Sequence, residues 1–264
     1  MKFKNNFFYN YLKNAPFTLA IERSMECEML SRQEFKEPVL DIGCGDGLFA
    51  YTLFNQQIDI GIDPDSKEIA RAKSYGIYHE LINCSGSEVP KGSESYQTIF
   101  SNSVLEHIPE IKAVLKEVNR LLMPGGSFYA TVPTDLFDHY TFGSLILTFF
   151  GLKGLAVQYR KVFDRFWKHY HYYNKEKWSA LFEAGGFKVV KTLEYCPRKI
   201  CLLEIVFLPV SILNLLCKKI FNKWAIFPGV RMVFIYPLYL LLKKCLKGAF
   251  PVQNGGIVFF HLTK

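Results

Sequence analysis

Three alternating glycines and an aspartate sixteen residues beyond them are the residues of this chain whose types and spacing point most directly to chemistry. Residues 39–47 read Val-Leu-Asp-Ile-Gly-Cys-Gly-Asp-Gly, and the aspartate is Asp63. Gly43, Gly45 and Gly47 carry no Cβ, so a ligand can lie against their backbone and the chain can take dihedral angles a side chain forbids. A helix opening after such a turn directs unpaired N–H groups at polar or anionic atoms. The two oxygens of a carboxylate at position 63 can accept both hydroxyls of a ribose. The chemistry described is the binding of a nucleoside-bearing ligand.

The elements that must position these groups follow from the flanking pattern. An apolar run at 39–42 that breaks into glycine describes a buried parallel strand ending in a tight turn, and residues 48–55 can start a helix. Ile-Asp-Ile-Gly-Ile-Asp at 58–63 reads as a second strand with its acid at the carboxyl end. A dinucleotide fingerprint would need Gly-x-Gly-x-x-Gly, but position 48 is Leu. Tyr-Gln-Thr-Ile-Phe-Ser-Asn-Ser-Val-Leu-Glu at 96–106 reads as a further strand running into His107-Ile108-Pro109. Leu-Leu-Met-Pro-Gly-Gly-Ser-Phe at 121–128 closes a helix and opens another strand. Ile69, Ala70 and Ala72, then Ile111, Val114, Leu115, Val118, Leu121 and Leu122, fall at helical spacing between the strands. Strands alternating with helices predict an α/β fold with a doubly wound parallel sheet, whose ligands bind at the carboxyl ends of the strands.

Taken in order, these four segments resemble the signatures of the class I S-adenosylmethionine-dependent methyltransferases. The resemblance covers roughly residues 16–195 and the last strand, and within the family it lies with the broad small-molecule group that includes quinone-biosynthesis enzymes. It implies a Rossmann-like, seven-stranded sheet, mostly parallel with an antiparallel last strand, and S-adenosyl-L-methionine as cofactor. It implies that Asp41, Gly43 and Gly45 hold the methionine end, with Cys44 between the glycines as a small buried side chain. Asp63, followed by Pro64, would take the ribose, and Asn102 and Ser103 would line the cofactor after the fourth strand. The adenine segment of the family resembles Asp-Ala-Glu-x-Leu-Pro. Here residues 85–90 are Ser-Gly-Ser-Glu-Val-Pro, so Ser85 replaces the acid and can still contact the adenine amine.

With 264 residues the chain suits one large domain with insertions, expected to span 1–264. Residues 134–174 follow the fifth strand, where an insertion would cover the cofactor mouth; they read as a lid that shapes an acceptor pocket. Asn174 should cap a helix over 175–184 that ends at Gly185-Gly186. Residues 187–195 and 256–263 read as the last two strands. Between them, where the family has a short connection, lies a hydrophobic helical hairpin, 198–247. Its apolar runs, 200–217 and 225–242, are 18 residues each, the short end for crossing a bilayer core of about 30 Å.

The whole formal charge of +8 resides in 198–247, which holds nine basic residues and the single acid Glu204. The basicity accompanies greasy sequence rather than the cofactor mouth, which argues against nucleic acid as a partner. Both flanking strands belong to one sheet, so the insertion must return to the side it left. A double crossing would leave Lys218, Lys219 and Lys223 outside, against the positive-inside rule. It would also bury Glu204 and Arg231, which is expensive. An amphipathic or re-entrant hairpin on the membrane surface is therefore expected, its lysines facing anionic headgroups at about 1 kcal/mol each; a buried hairpin or an oligomer interface is the alternative. Residues 1–13 lack the apolar core of a secretory signal and read as an N-terminal helix. Seven scattered cysteines without a Cys-x-x-Cys pair suit reduced thiols. The expected location is cytoplasmic, peripheral or monotopic at the inner face of the cytoplasmic membrane.

Methyl transfer from a sulfonium needs an acceptor held in line, and a base if the acceptor is a hydroxyl. The sequence fixes no catalytic residue: His107, His139 and His171 are candidates, with His169, Asp135 and Tyr140 near them. His107 also reads as a packing or capping residue. No metal is expected. The expected activity is methyl transfer to a small-molecule or lipid-linked acceptor (a glycan, quinone-type or lipid precursor) at oxygen. A non-catalytic domain tethering a partner at the membrane is the alternative, opposed by the intact glycine turn and Asp63; a nicotinamide oxidoreductase is opposed by Leu48.

Overall fold

The computed structural model describes residues 1–246 and 251–264, so Lys247, the last residue of the expected hairpin, lies outside the described residues. Two helices precede the sheet, α1 (Phe7–Asn14) and α2 (Phe17–Leu30). α1 turns Phe7, Phe8, Tyr11 and Leu12 into the core. Pro16 sits at the N-cap of α2, where its missing N–H costs nothing. β1 (Val39–Ile42) is buried at every residue, as a central parallel strand must be. There follow α3 (Leu48–Leu53), β2 (Ile58–Asp63), α4 (Ser66–Lys73), β3 (Tyr78–Asn83), β4 (Tyr96–Asn102), α5 (Ile111–Leu121) and β5 (Leu122–Pro133).

β3 escaped the sequence reading because it is an edge strand, and only Tyr78 of its six residues is buried. α5 buries Ile111, Val114, Leu115, Val118 and Leu121. α4 buries Ile69 and Ala72 but leaves Ala70, expected beside them, exposed. The chain continues through α6 (Phe142–Phe149), α7 (Lys153–Trp167), α8 (Lys175–Ala184), β6 (Lys188–Tyr195), α9 (Arg198–Val206), α10 (Leu208–Phe221), α11 (Pro228–Cys245) and β7 (Ile257–Thr263). Asn174 caps α8, its side chain accepting from Lys177 N at 2.9 Å.

Among the described residues the strands form one seven-stranded sheet, ordered β3-β2-β1-β4-β5-β7-β6. β1 to β5 pair in parallel, and β7 runs antiparallel between β5 and β6. Helices cover both faces: α1 to α4 contribute to one core cluster, α5 and α8 to the other. Strand order reverses between β1 and β4, which opens a crevice at their carboxyl ends.

The expected hairpin is three helices. Its first apolar run breaks at Phe207, where α9 and α10 meet at 61°. Pro209 opens α10, and proline cannot extend the helix before it. Among the described residues no single helix is long and apolar enough to cross a membrane; α9 and α10 qualify only as a bent pair. α11 packs on α1 through Tyr239, whose ring centroid lies 5.6 Å from that of Phe8. α10 meets α2 where Thr18 Oγ1 donates to Ser211 Oγ at 3.2 Å. The outer faces remain bare: Ile220, Val233 and Phe234 are 69%, 75% and 79% exposed, and Phe149 of α6 is 83% exposed.

Candidate active site

Gly43, Gly45 and Gly47 all take positive φ, at 75°, 53° and 79°. A Cβ on Gly43 would stand 2.5 Å from Val104 Cγ1, whereas on Gly45 it would meet no atom within 4 Å. One glycine thus lets the loop close on the residues after β4, and the other leaves space in the crevice. Asp63 ties the turn to β2, its Oδ2 accepting from Gly45 N at 3.0 Å and its Oδ1 from Asp65 N at 2.8 Å. Burial raises the Asp63 pKa, opposed by those two backbone bonds.

A cleft of about 610 Å³ brings together Gly43, Cys44, Gly45, Asp63, Pro64, Ser85, Asn102 and Ser103. Asp41, expected with them, sits behind the wall instead. Its carboxylate is buried and accepts from Tyr78 Oη at 2.7 Å. Burial pushes its pKa up to about 7, the Tyr78 hydrogen bond opposing. The Ser85 hydroxyl accepts from Ser87 N at 3.2 Å and lies 2.8 Å from Ser87 Oγ, so the local turn engages it. Cys44 is buried between the glycines, and desolvation drives its thiol pKa far upward, which leaves it unreactive.

Behind the cleft lies a carboxylate that the sequence reading missed. Glu26, fully buried on α2, accepts from Arg23 Nη1 at 2.9 and 2.8 Å, Asn102 Nδ2 at 2.6 Å, Ser103 Oγ at 2.9 Å and Tyr195 Oη at 3.1 Å. The one signal in the sequence was an arginine and a glutamate three apart in a helix, a spacing that surface helices share.

A second cavity, of about 270 Å³, shares Leu19, Arg23, Ser103 and His107 with the cleft. The segment 134–174 supplies Phe137, Thr141, Phe163, Trp167 and His169 to this cavity and no residue to the cofactor cleft. The insertion adds Cys201, Glu204, Ile205 and Leu208. His107 therefore stands on the common wall, although its place after Leu-Glu at a helix start reads as packing or capping. Its Nδ1–H donates to Lys168 O at 3.2 Å, and its ring lies 4.6 Å from that of His169. Burial lowers the pKa of both rings, that of His169 to about 3. His169 Nδ1 is engaged by the Tyr172 hydroxyl.

The other histidine candidates are not placed for acceptor chemistry. His139 is half exposed beside Asp138 and lines neither cavity. His171 uses both nitrogens, Nε2–H toward Ile108 O at 2.9 Å and Nδ1 toward Tyr173 Oη at 3.0 Å. Tyr140 donates to Asn254 O at 2.7 Å. Burial pushes the acids of the second cavity up, Glu22 to about 7 and Glu106 to about 8, with Glu204 raised in the same way. Glu106 Oε2 is buried without a hydrogen-bond partner. Glu106, His107 and His169 bring ligand-type atoms within 4.8 Å of one another, a grouping that could hold a cation.

These residues fit a nucleoside cofactor with a polar tail: open space beside Gly45, a carboxylate at the end of β2 and an adjoining cavity for a second reactant. Fold and cleft define a protein that binds such a cofactor at the switch point of a Rossmann-like sheet. Residues 20–192 match the family model described as Methyltransferase domain. The chain belongs to that family, the class I S-adenosylmethionine-dependent methyltransferases, and its cofactor is S-adenosyl-L-methionine.

The chain is 30% identical over 144 residues to a sterol 24-C-methyltransferase of Aspergillus fumigatus, a match covering 50% of this chain and 38% of that protein. It is 28% identical over 130 residues to a ubiquinone biosynthesis O-methyltransferase of Rhizobium etli, covering 44% and 52%. The chain thus spans about half or less of these curated relatives. Among solved structures, a methyltransferase of Thermotoga maritima superposes with a TM-score of 0.56 at 17% identity, covering 94% of this chain and 91% of that one. Phosphoethanolamine N-methyltransferase 2 of Haemonchus contortus, in complex with S-adenosylmethionine, gives 0.54 at 20% identity, covering 98% and 56%. These structural likenesses establish the fold.

Proposed function

We propose that this chain transfers a methyl group from S-adenosylmethionine to an apolar small-molecule or lipid-linked acceptor, at oxygen, on the inner face of the cytoplasmic membrane. The observation that carries this reading is the second cavity. It opens on the cofactor cleft at Arg23, Ser103 and His107, and its far walls come from the two segments whose outer faces are apolar and bare. Relatives named for a sterol and for ubiquinone biosynthesis support an apolar acceptor. Around the bare faces, Lys219, Lys223, Lys243 and Lys244 are exposed, which suits an anionic bilayer surface.

When bound, the cofactor supplies a methyl already activated on a sulfonium. The chain has to align the acceptor, exclude water and remove a proton. Phe137, Phe163, Trp167 and Ile205 give the cavity an apolar wall beside the acids Glu22, Glu106 and Glu204. Glu26 fixes Arg23, Asn102 and Ser103 behind the shared wall. His107 is the base assigned here: it reaches both cavities, and its Nδ1–H is held by Lys168 O, leaving Nε2 to accept a proton.

The test is a labelled-methyl transfer screen against membrane lipid extracts and aqueous extracts. Label entering an organic-soluble product is expected. Label confined to water-soluble products overturns the apolar acceptor, and absence of transfer despite measured cofactor binding favours the tethering alternative.

A further inference from the structure

The turn between α10 and α11 folds back onto the cofactor cleft. Lys218, near the end of α10, sets Nζ 3.0 Å from Asp46 Oδ2 and 3.1 Å from Glu68 Oε1. Trp224 donates Nε1–H to the same Asp46 Oδ2 at 2.7 Å, and Lys218 Nζ stands 4.4 Å from its ring centroid. Asp46 lies between Gly45 and Gly47 in the cofactor turn. Lys218 and Trp224 line the cleft together with Asp46, Asp63 and Glu68. The turn itself is pinned, since Asn214 Nδ2 donates to Trp224 O at 3.0 Å and Arg71 Nη2 to Asn222 Oδ1 at 3.1 Å. Lys218, expected at lipid headgroups, is therefore turned inward by two carboxylates, while Lys219 and Lys223 stay exposed.

We propose that Lys218 and Trp224 complete the cofactor site, so that the inserted helices are one of its walls and docking of those helices on an anionic bilayer is linked to cofactor affinity. The linkage rests on the membrane reading above; the wall does not. One turn of α10 carries both functions: Lys218 reaches Asp46, and Ile220 and Lys219 beside it face outward. A bilayer that holds α10 and α11 in this arrangement also holds Trp224 over the cleft. Two ligands that favour one arrangement must strengthen each other by the same factor.

The experiment measures S-adenosylhomocysteine affinity by calorimetry on the full chain, with and without vesicles of phosphatidylglycerol and phosphatidylcholine. Without vesicles, Lys218→Met and Trp224→Ala should each weaken binding about tenfold, the scale of a charge-assisted contact. Their circular dichroism at the assay temperature should match wild type, so that a loss of affinity is not a loss of fold. With vesicles, wild-type affinity should rise about fivefold or more, and that of the variants should not. Variants that match wild type without vesicles overturn the wall. Wild type that floats with vesicles at unchanged affinity overturns the linkage. Wild type that fails to float removes the membrane reading and the linkage with it, while the variants still decide the wall. Should Trp224→Ala unfold, the affinity of Lys218→Met decides the wall.

Discussion

Asn102 Nδ2 donates to Glu26 Oε2 at 2.6 Å across 76 residues of sequence. The bond joins the end of β4, where the cofactor cleft begins, to the middle of α2. Arg23, Ser103 and Tyr195 meet the same carboxylate, so α2 is the backing of the site rather than an appendage. Glu26→Ala leaves Arg23 with only Glu22, 3.4 Å away, and takes the acceptor from Asn102, Ser103 and Tyr195. Breaking a buried pair costs about 3–5 kcal/mol, which for a chain of this size is roughly a 10 °C fall in melting temperature. Circular dichroism melting checks this, and Glu26→Gln should fall less because one acceptor oxygen remains.

Gly43 and Gly45 separate folding from binding. Gly43→Ala drives a Cβ into Val104 and should destabilise the chain severely. Gly45→Ala meets open space and costs only the left-handed backbone strain, about 1–2 kcal/mol. Its methyl enters the cleft, so calorimetry should show a folded protein whose cofactor affinity is reduced by more than the strain alone explains.

His107→Gln should lower kcat by about a hundredfold or more, the range of a lost general base, while S-adenosylhomocysteine affinity changes little. His139→Ala, at a ring that lines neither cavity, should leave turnover unchanged. His171→Ala should lower the melting temperature through its two lost hydrogen bonds. Equal loss of kcat in all three variants would remove His107 from its assigned role.

The ligand-free protein should lose stability as pH rises from weakly acidic to neutral. Asp41 titrates near 7 in the folded chain against an ordinary 3.8, so the folded state keeps a proton that the unfolded chain gives up. Its contribution is largest below about pH 4, falls through about pH 7 and is level above it. Three units are worth at most about 4 kcal/mol. Asp41→Asn removes this slope, and its melting temperature relative to wild type should therefore climb between pH 5 and pH 8.

Val233→Glu together with Phe234→Glu places charge on the barest part of α11. Each large side chain withdrawn from an apolar phase forfeits about 1.5–3 kcal/mol. Vesicle flotation should drop at least tenfold with the fold intact by circular dichroism. Flotation equal to wild type would count against this surface as the docking face.

The sequence by itself determined the strands that frame the switch point, the cofactor turn and Asp63. Alternating apolar runs and obligatory glycines act over a few residues, so local sterics encode them and Gly43, Gly45 and the ends of β2 and α8 could be read directly. Edge strand β3 was invisible because half-exposed residues carry no apolar pattern. Only the tertiary structure decided which polar residues meet: Glu26 with Asn102, His107 with His169, and Lys218 with Asp46 across the insertion. It also moved Asp41 behind the wall and broke the apolar run at Phe207. Such pairings depend on how separate helices pack, and a charge reads the same in sequence whether it ends in solvent or against a buried partner far along the chain.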